Sequence, residues 1–127
     1  MNSIQYVEGL LALQAHSRRI VGAWGRDFDL LLTPTLATEP ARVGEFFKNA
    51  EAEPLAPLMD STGMVPFTPL FNVTGQPAVS LPMHWAPSGL PVGVQLVGGP
   101  WGEAPLIQVA SQLEAAHPWR ARFEALA

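Results

Sequence analysis

Cysteine is absent from this chain, and lysine is almost absent, with Lys48 alone. Without cysteine there is no disulfide framework, no cysteine-ligated zinc site and no thiol nucleophile, a usage that fits a cytoplasmic protein. Charge is scarce too: 14% of residues are charged, against about a quarter in ordinary globular chains. The net charge is −4 and no basic patch exists, so the chain lacks the electrostatic footprint of a nucleic-acid binder. Arg18 with Arg19, and Arg120 with Arg122, read as solvated or locally paired residues. No apolar run approaches the roughly 18 residues of a membrane helix, and the N-terminus has no basic n-region, so neither a membrane span nor a secretory leader is expected.

Apolar residues are plentiful, at 48% of 127. A chain of this length reads as one domain, 1–127, able to bury roughly two thirds of its unfolded surface. A surface so short of charge suits an element of a larger body, or an obligate partner.

Residues 3–24 read as a helix. Asn2 or Ser3 caps its start. Tyr6, Leu10, Leu13, Ser17, Ile20 and Trp24 recur at three- and four-residue spacing, while Gly22 and Gly25 mark its end. Residues 28–33 form a short apolar run with Leu30, Leu31 and Leu32 on both faces, expected as a buried strand that Pro34 ends. Residues 34–60 are broken by Pro34, Pro40, Pro54 and Pro57 and read as irregular, with room for two helical turns over 44–52. In this loop Phe46 and Phe47 are candidates to line a pocket or to cover core.

Phe67 to Thr74 reads as a short helix with a proline in its first turn, closed by Gly75. The Asn72 amide is expected to bond the backbone around that turn. From Pro77 the chain alternates. Val79, Leu81 and Met83 share one face of a strand, and Pro82 on the other face requires an edge position or a bulge. Ala86-Pro87-Ser88-Gly89 has the residues of a β-turn, and a second alternating run follows, so 78–83 and 92–98 are expected as an antiparallel hairpin. Residues 103–116 read as a helix with a Leu106, Ala110 and Leu113 stripe and Ile107 beside it, stopped by Pro118. The tail from Trp119 adds a turn or frays. The sum is an α/β fold: a partial mixed sheet flanked by two helices.

Candidate chemistry is thin. None of the serines lies in a glycine-flanked elbow. Ser80 falls in a strand, Ser88 in a turn and Ser111 on a helix, which are structural placements. His16, His84 and His117 lie far apart, and their spacing with Asp27, Asp29 and Glu103 supports neither a triad nor a metal site. Gly98-Gly99-Pro100-Trp101-Gly102 has the wrong spacing for a phosphate loop and reads as a strand-to-helix turn.

Several runs together resemble one family. FNVTGQPAVSLP (71–82), GLPVGVQLVGG (89–99), a helix ending SQLEAAHPW (111–119), and FDLLLTPT (28–35) after a long helix are similar to the C-terminal region of amidase signature enzymes. The wording around MHWAPSGLPVGVQ (83–95) is nearest to bacterial members described as 6-aminohexanoate-cyclic-dimer hydrolase-like. The resemblance implies a mixed sheet flanked by helices and amide hydrolysis by a serine, a cis-bonded serine and a lysine. Those residues belong to the family's N-terminal two thirds. This chain has no Ser-Ser pair and no Gly-Ser-rich loop, so no catalytic residue carries over and no cofactor or metal is implied. What carries over is scaffold, namely Asn72, Gly75 and Pro77 with Gly89, Pro91 and Gly93. Substrate-pocket walls are implied at Thr33, Thr35, Phe67 and Phe71.

Two roles are therefore expected. One is a C-terminal amidase segment, silent alone, that meets a small-molecule amide only in the context of a whole enzyme. The other is a non-catalytic assembly module that forms a homo-oligomer or pairs with an N-terminal partner. Neither role involves nucleic acid or a membrane.

Overall fold

A three-stranded antiparallel sheet, in the order β1-β3-β2, organises the chain. The computed structural model describes residues 2–48 and 50–125. Helix α1 (Ser3–Val21) leads to strand β1 (Leu30–Pro34). A 3-10 turn (Glu45–Phe47) and two short helices, α2 (Ala56–Ser61) and α3 (Pro69–Thr74), follow. The hairpin β2 (Ala78–Trp85) and β3 (Pro91–Gly98) comes next, and α4 (Glu103–Ala116) and α5 (Arg120–Glu124) complete the order.

Helix α1 starts as its residues dictate. Asn2 accepts from the Gln5 N–H while the Gln5 side chain accepts from the Asn2 N–H, a capping box that satisfies two end donors. The helix ends three residues earlier than periodicity implies. Gly22 caps it by donating to the Arg18 carbonyl, and Gly25 turns the chain in the left-handed region at φ 73°. Trp24, expected on the helix face, instead leaves the helix and packs edge-on against Phe28 at 4.8 Å. No residue of α1 is buried.

β1 is an edge strand, not a buried one. It begins at Leu30, opposite the last residue of β3, Gly98. Phe28 pairs with Trp24 instead of joining the sheet. Pro34 lies inside the strand rather than beyond it. Thr35 donates to the Gly93 carbonyl at 3.0 Å, so in the alternating pattern of an antiparallel pair Pro34 holds the position whose N–H would point to the open edge. Leu32 is 62% exposed, because α4 packs mainly on β2 and β3, and Leu30 is the β1 residue that reaches the core cluster.

The hairpin matches its expectation and extends it. Gly89, at φ 83°, donates to the Ala86 carbonyl. Pro82 satisfies both of its conditions, since β2 is an edge strand and the register slips between Pro82 and His84. Val79, Leu81 and Met83 do share the core face. With Leu96 they meet Leu106, Val109, Ala110 and Leu113 of α4. Ile107 points out. Each leucine buried here contributes about 1.5–3 kcal/mol by leaving water.

The stretch 34–60 holds more structure than its prolines suggest, because Pro57 sits in the first turn of α2, where its missing N–H costs nothing. The two helical turns expected over 44–52 are a single 3-10 turn. Phe47 is exposed and Phe46 half-buried. At the α3 turn, Gly75 adopts φ 71° as expected. The bonding side chains there are Thr74 and Gln76 rather than Asn72: the Thr74 hydroxyl donates to Gln76 Oε1 at 3.0 Å, and Gln76 Nε2 donates to the Gly98 carbonyl at 2.8 Å.

Candidate functional site: the polar face of the sheet

Alternation puts Val79, Leu81 and Leu96 under α4 and turns Thr33, Ser80 and Gln95 to the opposite face, which they share with the buried Val97. The register sets Thr33, Gln95 and Ser80 abreast on that face, one from each strand. Gln95 is buried and donates through Nε2 to Thr33 Oγ1 at 3.1 Å. One pair further along, the Thr35 and Ser80 hydroxyls lie 2.6 Å apart. Gly93 runs between them, and a Cβ there would stand 2.7 Å from Ser80 Oγ and 2.8 Å from Thr35 Oγ1. The hydroxyl pair therefore closes over bare backbone.

This pair divides a shallow groove. On the α3 side a cleft of about 350 Å³ is walled by Thr35, Ser80, Gln95, Thr68, Gln76 and Phe71. On the other side a cleft of about 310 Å³ runs past Gly93, Pro82, Pro91 and Phe123. Phe71 is buried and meets Trp24 edge-on at 6.3 Å, while the Trp24 indole N–H donates to the Val97 carbonyl at 3.1 Å. These contacts fix the end of the groove that α3 forms.

Among the described residues no charged side chain lines either half. Hydroxyls and carboxamides both donate and accept, so the groove is matched to an uncharged polar group such as an amide. Ser80 is hydrogen-bonded to another hydroxyl, and among the described residues no imidazole, amine or carboxylate lines the groove with it.

The four expected wall residues are placed unequally. Thr35 and Phe71 line the groove. Thr33 reaches it through Gln95. Phe67 precedes α3, half-buried, and does not line it. Ser80, Gln95 and Gln76 are wall residues that sequence reasoning passed over. The available signal was Gln95, a lone amide inside an otherwise apolar strand.

The histidines do not converge on this face. His16 lies on α1 with Arg19 Nη2 at 3.0 Å from its Nδ1. His84 and His117 line a separate pocket beside β2. Among the described residues no three histidine, cysteine or acidic side chains gather in a way that could hold a metal ion. No described helix is long and apolar enough to cross a membrane. Arg26 bonds the neighbouring Asp27 at 2.9 and 2.6 Å. That hydrogen bond holds the Asp27 carboxyl below, and the Arg26 guanidinium above, their ordinary values.

Comparison with known proteins agrees with this geometry. Residues 2–107 match the amidase family. The 6-aminohexanoate-cyclic-dimer hydrolase of Pseudomonas sp. (strain NK87) is 39% identical over 114 residues, which is 87% of this chain and 23% of that protein. The protein of the same name from Paenarthrobacter ureafaciens is also 39% identical, with the same coverage. A solved structure of 6-aminohexanoate cyclic dimer hydrolase superposes with a TM-score of 0.83 at 34% identity, covering 95% of this chain and 26% of that one. The chain thus spans about a quarter of the length of the curated relatives it matches.

Proposed function

The chain belongs to the amidase family and corresponds to a C-terminal part of it, and from that premise we propose that it supplies sheet scaffold and one wall of the substrate groove to a carbon–nitrogen amide hydrolase. The observation that carries this reading is the uncharged polar groove of Thr35, Ser80 and Gln95, built on a sheet whose fold matches about a quarter of an amide hydrolase. Thr33, Thr35 and Phe71 act as wall and support residues, and Phe67 stands outside that wall. The nucleophile and its base come from a polypeptide segment other than these residues, because the groove holds a neutral hydroxyl pair and no activating group. The amide is a small molecule, the compartment is the cytoplasm, and the chain alone is catalytically silent.

The test is to incubate the purified chain with small amides and a fluorophosphonate probe. No turnover and no labelling are expected. Serine-type turnover that the probe blocks would overturn the reading. A positive arm adds the remaining N-terminal three quarters of the Pseudomonas relative, expressed separately, and looks for hydrolysis of the cyclic dimer that neither part hydrolyses alone.

A second reading, assembly through an exposed apolar face, is favoured by α1. Ile4, Val7 and Leu11 stand 68%, 51% and 58% exposed along that helix, more apolar surface than one solvated helix carries. A strictly monomeric chain that does not bind the N-terminal segment would count against it.

A further inference from the structure

A second pocket lies at the opposite edge of β2, between its bulge and the corner where α4 gives way to α5. Its volume is about 490 Å³, within the roughly 300–1,000 Å³ range of small-molecule sites. Pro82 borders both this pocket and the sheet-face groove, and Phe123 lines the groove while packing on Trp85 at 5.2 Å. These two side chains separate the spaces.

The chemistry here is unlike the groove's. Arg122, His84 and His117 all line the pocket, and no acidic side chain does, in a chain whose net charge is −4. Arg122 holds its guanidinium over the Trp85 ring, 5.4 Å from the centroid. It has no carboxylate within ion-pair distance among the described residues, whereas Arg120, two positions away, is paired with Glu124 at 2.9 Å. The cation is thus oriented by the indole, and among the described residues no side chain takes up its hydrogen-bonding fork. Trp85, Trp119 and Pro118 supply flat apolar walls.

We infer that this pocket binds a small carboxylate with an apolar body. The Arg122 fork takes the two carboxylate oxygens, the imidazoles of His84 and His117 offer further N–H donors, and the ligand body lies against the indoles. One guanidinium matches one negative charge. The C-terminal end of α4, with His117 as its cap, opposes any anion, and opposes a dianion such as phosphate more than a carboxylate, so Arg122 must outweigh it for the ligand to bind. This inference is independent of the amide role of the sheet face.

The test is an NMR titration of the 127-residue chain at about pH 7, following the indole N–H signals, with benzoate as probe and benzamide as its uncharged counterpart. Benzoate is expected to shift the Trp85 and Trp119 signals saturably, with benzamide at least about tenfold weaker. Arg122→Gln is expected to weaken benzoate by about tenfold and to erase the preference over benzamide, while Arg120→Gln leaves both unchanged. Because Arg122 also braces α5 through Trp85, Arg122→Lys serves as the second variant: it keeps the charge, loses the fork, and is expected to fall between wild type and Arg122→Gln. Absence of saturable shifts, equal affinity for benzamide, or unchanged benzoate affinity in Arg122→Gln would each overturn the assignment.

Discussion

The hydroxyls of Thr35 and Ser80, 45 positions apart in the chain, meet at 2.6 Å across the backbone of Gly93. The contact exists because position 93 carries no Cβ. Gly93→Ala places a methyl 2.7 and 2.8 Å from the two oxygens, so one or both side chains must rotate away. A loss of about 1–3 kcal/mol is expected, the usual cost of overpacking, read by chemical denaturation. Adding Ser80→Ala, which removes the nearer hydroxyl, is expected to recover part of that loss. An undisturbed unfolding midpoint in Gly93→Ala would contradict the close approach.

Leu106 and Ile107 are neighbours on α4 with opposite fates. Leu106 is 4% exposed in the core and Ile107 is 66% exposed. Leu106→Ala is expected to cost about 2–4 kcal/mol through lost burial and the cavity left behind. Ile107→Ala is expected to stay within about 0.5 kcal/mol. Thermal or urea unfolding of the two variants side by side measures the difference, and similar losses would mean that α4 is rotated from the orientation described.

Val7 and Leu11 lie one turn apart on α1, and both face solvent. Replacing both with glutamate removes apolar surface without opening the core. Self-association, or association with an N-terminal amidase segment, is expected to weaken by sedimentation analysis, while unfolding shifts by no more than about 0.5 kcal/mol for each site. Unchanged association would move the interface elsewhere.

Asp27 titrates against Arg26. The hydrogen bond from Arg26 lowers the Asp27 carboxyl from its ordinary value at an exposed site. A lowered folded-state value means that the contribution is present above the ordinary carboxylate range and is lost as pH falls through that range toward the folded value. Carbon-detected NMR titration is expected to place the Asp27 midpoint below that of a free aspartate, and Arg26→Ala to return it. An unaltered midpoint in Arg26→Ala would assign the shift to another cause.

Local patterns carried far along this chain. The Ala86–Gly89 turn, the alternation on either side of it, the Gly75 cap and the 103–116 helix were legible because each depends on residues within a few positions: proline and glycine at turn positions, apolar side chains at period two or at three and four. The same local logic failed where the deciding contact was distant. Trp24 fits the helical period of α1, yet it leaves the helix and donates to the Val97 carbonyl. Leu30 to Leu32 read as a strand buried on both faces, yet Leu32 is open because α4 packs mainly on β2 and β3.

For the site the division is sharper. Sequence alone pointed to the family, and it showed that the chain carries no Ser-Ser pair and no lysine but Lys48. It also marked Thr35 and Phe71. Tertiary structure decided that Ser80 and Gln95 complete the groove with them, that Phe67 does not, and that His84 and His117 face a pocket with Arg122. Those pairings arise from strand register and from the packing of α5 on the hairpin. Both join residues tens of positions apart, and no local pattern encodes them.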